Sequence, residues 1–277
     1  MPFLAIAAAL VSALIHASWN AALKGGRDRL ADLFLIALGS GVFGAAIIVA
    51  SGAPAREAWP YLALSCVVHA AYWTCLARGY AAGDMSHVYT LARGLAPLLV
   101  TVGGLSLAHE ALTQAEMAGV ALISLGVLSV GVSPRAPLGA TLWALATALT
   151  IAAYSLTDAL GARANGDALN YVGWMSLGTA VPLASFALAR RGLHGLIAAT
   201  RGDLARGIGV GALSSAGFGI VIWAQTFAPI AQVTALRETS VVFGALIAWL
   251  FLKERLGARR WIGACIVAAG ALLIGFG

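Results

Sequence analysis

Charged residues make up only 10% of this 277-residue chain, and four of them stand inside long apolar runs: Arg93, Asp158, Arg237 and Glu238. Histidine, tyrosine, tryptophan and amide side chains recur around them at helical spacing. Ser12, His16, Trp19 and Asn20 fall at i, i+4, i+7 and i+8, one face of a helix. His69, Tyr72 and Trp73 form a second face, and Ser86, Tyr89 and Arg93 a third, with Pro97 one turn on. Thr147, Thr150, Tyr154 and Asp158 make a fourth; Trp223 with Gln225, and Gln232 with Thr234, Arg237 and Glu238, complete the set. The histidines, aromatics and charged residues of these faces, together with Asn20, are the candidate substrate-binding residues. A guanidinium meets a carboxylate, and rings or a carboxylate meet an ammonium, so such a set suits a zwitterion. His16, His69, Asp158 and Glu238 are also the candidate proton carriers.

Structural alternatives stand beside these roles. Arg93 and Arg237 serve equally as members of inter-helix ion pairs, for example Arg237 with Glu238 or Asp158. His16 and His69 serve equally as neutral rings bonded to a neighbouring helix. Trp19, Tyr72 and Trp73 line a cavity or pack helices together. Trp59, Tyr61, Trp143 and Trp261 sit where an interfacial aromatic belt is expected. Lys24 and Arg78 read as loop-end charges that snorkel to headgroups, and Glu110 and Glu254 as residues that shape their turns.

Other chemistries find no footing. HExxH, GxGD and GxxxxGK[ST] patterns are absent, so neither an enzyme nor a nucleotide-driven pump is expected. Cys66, Cys75 and Cys265 have no metal-ligand spacing, and about 13 Å of helical rise separates the first two. No cofactor and no metal are implied. The net charge of +6 reads as membrane-interface Lys and Arg rather than as a nucleic-acid surface.

These faces belong to apolar segments long enough to cross a bilayer. Hydrophobic residues reach 61%, against about 45–50% for soluble domains. Ten segments approach the roughly 20 residues a span needs: 3–23, 31–51, 58–80, 84–108, 114–132, 137–161, 168–190, 205–227, 229–252 and 258–277. Thr113 to Glu116 predicts a capping box opening the fifth. The expected fold class is an all-α polytopic membrane protein.

Met85 to Gly131 repeats, without a gap, 144 positions later as Pro229 to Gly275. Arg93 falls on Arg237, Glu110 on Glu254, and Gly119, Gly126 and Gly131 on Gly263, Gly270 and Gly275. Residues 1–136 and 137–277 are therefore expected to be two five-helix repeats of one membrane domain. An odd number of spans per repeat makes the repeats inverted, with a site between them near midplane. Arg93 and Arg237 would then face one cavity as pseudo-symmetric partners, with asymmetry where Gly94 answers Glu238 and Pro97 answers Val241. Thirteen Lys and Arg residues fall in odd-numbered loops or adjoining span ends, and only Arg56 and Arg163 in even-numbered ones. That bias places both termini outside.

On these features the chain resembles the EamA-type drug/metabolite transporter superfamily. The resemblance rests on two five-span repeats and on His16-Ala-Ser-Trp-Asn20 with Lys24. It rests also on Glu110-Ala-Leu112 and Glu254-Arg-Leu256, each followed by a glycine-spaced helix. The ten-span amino acid exporters, including the YddG-type aromatic amino acid exporters, are similar in plan. The resemblance implies a basket of helices around a central cavity and alternating access in a bacterial inner membrane. It also implies export of small amphipathic metabolites, amino acids first, with protons as a possible second partner. Export of drugs or hydrophobic cations is the alternative; a membrane scaffold or an intramembrane enzyme are the alternatives from other classes.

Overall fold

The computed structural model describes residues 1–23, 28–251, 253 and 256–276. Lys24, Arg27, Glu254, Arg255 and Gly277 lie outside the described residues, as does the side chain of Arg29. The helices are α1 (Phe3–Leu23), α2 (Arg29–Ser51), α3 (Trp59–Ala82), α4 (Met85–Leu107), α5 (Gln114–Gly131) and α6 (Leu138–Asn165). There follow α7 (Ala168–Thr200), α8 (Leu204–Phe227), α9 (Ile230–Arg237), α10 (Ser240–Leu250) and α11 (Ala258–Phe276). A 3-10 turn at Arg56–Ala58 precedes α3. Among the described residues, ten segments are long and apolar enough to cross a membrane, with α9 and α10 together forming the ninth.

Polar residues set the starts of these helices, because the first amides of a helix have no partner within it. Asp28, Asp84 and Asp167 each accept two such amides, at the heads of α2, α4 and α7. The capping box at Thr113 and Glu116 is present in full. Glycines set the ends. Gly166 takes a left-handed conformation (φ 73°) and stops α6 at Asn165, later than the expected 161. The seventh span does not stop at residue 190: Gly192 breaks the helical geometry (φ 70°, ψ 161°), and helix resumes to Thr200.

The ninth span is not one helix. At Glu238 and Thr239 the amides bond three residues back, to Ala235 and Leu236, a 3-10 turn inserted between α9 and α10. Its counterpart α4 runs through the equivalent point. There a Cβ on Gly94 would lie 2.6 Å from the Leu128 side chain on α5. A side chain at this position would have to displace Leu128.

Small residues let the helices approach closely, the usual device where no water drives association. A Cβ added at Gly119 would meet the Gly270 carbonyl at 2.8 Å, and one at Gly270 the Gly119 carbonyl at 2.7 Å. Gly126 and Gly263 stand in the same reciprocal relation, at 2.9 Å each way. The residue numbers run in opposite directions, so α5 and α11 pack antiparallel. The α2 and α7 helices do likewise, Gly41 lying beside Ala180 and Gly44 beside Gly173. The α1 helix packs on α8, α9 and α10, while α6 packs on α3 and α4.

Candidate functional site

The two arginines do not play the same part. Arg93, on α4, donates from Nε to Glu238 Oε2 at 3.0 Å. Its Nη2 lies 2.8 Å from Oε1, an ion-pair contact without hydrogen-bond geometry. Both side chains are buried, at 7% and 3% exposure. The 3-10 turn between α9 and α10 makes this possible by setting Glu238 at the helix break. The pair thus joins residues 145 positions apart, one from each half. Of the ion pairs open to Arg237, the one with Glu238 does not form: the bonds of the carboxylate go to Arg93.

Arg237 is left over. Its guanidinium carbon stands 5.0 Å over the ring of Phe218 on α8. Its Nε is buried without a hydrogen-bond partner, and no ion pair or hydrogen bond holds the guanidinium among the described residues. The residue as a whole is only half-buried. Both arginines act electrostatically on His16. The His16 Nε2 lies 3.3 Å from the Tyr89 hydroxyl, and its ring stands edge-on to Trp19 at 5.1 Å.

Rings fill the space beside this charge. Tyr154 on α6 stacks on His69 at 4.4 Å and stands edge-on to Tyr72 at 5.6 Å and to Phe218 at 5.8 Å. Trp73 touches Tyr72 at 5.1 Å and packs with Leu76, Val88 and Ala144. Beyond Tyr154, Asp158 is fully buried. Its Oδ1 accepts from the Tyr171 hydroxyl at 3.1 Å, and its Oδ2 faces His69 Nε2 at 3.9 Å. Asp158 therefore faces His69 and not Arg237.

The structure thus gathers His16, Trp19, His69, Tyr72, Trp73, Tyr89, Arg93, Tyr154, Asp158, Arg237 and Glu238 around one aromatic and charged centre. Two candidates lie apart from it. Asn20 is exposed and bonds back to the His16 carbonyl at 2.7 Å. Trp223 is 41% exposed and lines an open depression with Arg163, Asp167 and Thr226 at the turn between α6 and α7. The sequence reading passed over Phe218, Tyr171 and Ser65. A lone aromatic or serine in an apolar helix carries no signal until its neighbours are known.

Glu110 does more than shape its own turn. It accepts from Arg163 Nη2 at 3.1 Å and from the amides of Ile230 and Ala231 at 2.8 and 3.4 Å. It therefore caps α9, in the other half, and Arg163 adds bonds to the carbonyls of Gln225 and Ala228. This knot ties the halves together at the end carrying the even-numbered loops.

A model of the EamA-like transporter family matches residues 138–276, just over half of the chain. One solved crystal structure has a TM-score of 0.77, covering 98% of this chain and 98% of its own at 18% identity, a likeness of fold. A probable magnesium transporter of Candida albicans (strain SC5314 / ATCC MYA-2876) is 47% identical over 51 residues, 18% of this chain. That match spans 14% of the relative.

Proposed function

Because this chain belongs to the EamA-like transporter family, we propose that it is a secondary transporter. It exports small amphipathic metabolites, amino acids first among them, across the bacterial inner membrane by alternating access. The observation that carries this reading is Arg237. A guanidinium held inside the helix bundle with no carboxylate bonded to it, Glu238 acting on it only through space, is costly, and a cargo carboxylate would complete it. Arg93 cannot take that role while Glu238 occupies it. Rings of Tyr72, Tyr154 and Phe218 suit the apolar part of the cargo, and an ammonium finds rings and the Asp158 end of the cluster.

The alternating-access part of this proposal takes the two repeats to be oppositely oriented, and the helix packing supports it. Corresponding helices pack antiparallel as pairs, α2 with α7 and α5 with α11. Contacts of α1 with α8 and the ninth span mirror those of α6 with α3 and α4. Both termini are placed outside on the loop-charge bias. Domains 1–136 and 137–277 then rock against each other, and the Glu110–Arg163 knot closes one side.

The test is counterflow in proteoliposomes with a panel of radiolabelled amino acids. Wild type should exchange at least one of them, and Arg237→Ala should lose at least ten-fold in rate while Arg237→Lys retains part. Unchanged exchange in Arg237→Ala would remove the binding role. A second reading, export of hydrophobic cations, draws on the same rings with Asp158. Competition by a lipophilic cation, with none by amino acids, would favour it; magnesium belongs in the panel because the short-matching fungal relative bears that name.

A further inference from the structure

We propose that Asp158 and His69 form a proton-binding site whose proton competes with the ammonium of the cargo, making the transporter a proton antiporter. The coupling rests on the transport reading above; the proton site does not. The geometry assigns the hydrogens. His69 Nδ1 lies 3.0 Å from the Ser65 carbonyl oxygen, which can only accept, and 3.2 Å from the Ser65 hydroxyl. Nδ1 therefore carries a hydrogen, and in the neutral ring Nε2 is bare. That bare nitrogen faces Asp158 Oδ2 at 3.9 Å, and Oδ2 has no hydrogen bond of its own. Two acceptors thus confront each other, and Asp158 is fully buried.

One proton resolves the conflict. On Nε2 it makes an imidazolium beside a carboxylate; on Oδ2 it makes a neutral carboxyl facing an imidazole. Either way the pair is neutral with the proton and carries one negative charge without it. Among the described residues, no Lys or Arg bonds to or pairs with the Asp158 carboxylate. Cys66 comes from α3 and Tyr171 from α7, and Tyr154 lies one turn back on α6. The α8 helix presents Phe218, which is uncharged, and Arg56 and Glu57 of the 3-10 turn are exposed. Arg93 on α4, with Arg237 and Glu238 on the ninth span, bears on Tyr154.

The site is linked to the cargo position by stacked rings. His69 lies on Tyr154 and 6.2 Å from Phe218, and Phe218 carries Arg237 on its face. A zwitterion with its carboxylate at Arg237 would hold its ammonium on the Phe218 side of this stack, where the charge of the His69–Asp158 pair acts on it through space. The negative charge that attracts the ammonium exists only after the proton has left. In the cycle, a proton from external water binds at Nε2 or Oδ2. It is released to cytoplasmic water as the ammonium arrives, and only N–H and O–H bonds change.

Infrared difference titration of the full chain in lipid nanodiscs tests the site with no cargo present. Wild type should show one titration shared by carboxyl and imidazole bands. Asp158→Asn should abolish that shared titration, and Glu57→Gln, in the exposed 3-10 turn, should keep it. His69→Gln should leave a carboxyl titration with no imidazole band moving with it. The same titration in all four proteins would overturn the proposal. Wild-type counterflow without the shared titration would leave transport standing and remove the proton carrier. The shared titration without counterflow would remove the transport reading and the coupling with it.

Discussion

Breaking the bond between Arg93 and Glu238 should be among the most damaging single changes in this protein, and unequally so from its two ends. The side chains are 7% and 3% exposed. They therefore fall in the buried regime, where losing one partner costs about 3–5 kcal/mol, rather than the surface one, where a pair contributes about 0–1 kcal/mol. Glu238→Met strands Arg93 beside Arg237, leaving two guanidinium groups near one another with no carboxylate. Arg93→Met leaves Glu238 next to Arg237, whose charge already acts on it, so part of the loss is recovered. Glu238→Met is therefore expected at about 4–5 kcal/mol and Arg93→Met at about 3 kcal/mol. The double variant removes both charges and should cost at least about 2 kcal/mol less than the sum. Unfolding by SDS in mixed micelles, followed by tryptophan fluorescence, measures all three. Single variants costing under about 1 kcal/mol each, with additive effects, would refute the reasoning, because a buried pair cannot be that cheap to break.

Gly126→Ala should destabilise by about 1–3 kcal/mol, since its Cβ would meet the Gly263 carbonyl at 2.9 Å; Gly244→Ala, with nothing within 4 Å, is the control in the same unfolding assay. Glu110→Ala should cost about 2–4 kcal/mol, as Arg163 and the first amides of α9 lose an anionic acceptor, and Glu110→Gln should recover part of that in thermal unfolding. At the head of α2, the Arg191 hydrogen bond and then the Ala31 amide hold the Asp28 carboxyl below its usual range. A lowered folded-state value means stability that is present above the unfolded-state value and lost as pH falls through the folded one. The melting temperature should therefore drop on acidification through the lower carboxylate range, by a modest amount because the pair is a third exposed, and Asp28→Asn should flatten that drop.

Much of the architecture was legible in the chain because bilayer physics leaves few choices. An apolar run of span length must be helical, since lipid offers its backbone no partners. Asp84, Thr113 and Asp167 announce helix starts because only a side-chain acceptor can satisfy the first amides there. The faces bearing His16, His69, Arg93, Tyr154 and Arg237 were legible for the same reason: polar atoms at that depth must turn inward. Span ends were less so. Asn165 and Thr200 extend their helices past the expected limits, because the polar residues that signal a loop are equally comfortable in a helix that emerges from lipid.

By itself, the sequence determined the class, the membrane segments, the repeated glycine-spaced helix and the inventory of intramembrane charges. Only the tertiary structure decided which charge answers which. Arg93 and Arg237 occupy equivalent places in the repeat, yet one is neutralised and the other waits. The difference lies in the 3-10 turn that sets Glu238 at the helix break, where α4 has Gly94 packed against Leu128. Partner choice in a low-dielectric interior depends on ångström separations between helices far apart in sequence, and those separations follow from packing. The same holds for Asp158, whose partners Tyr171 and His69 arrive from α7 and α3, and for Glu110, which caps a helix of the other half.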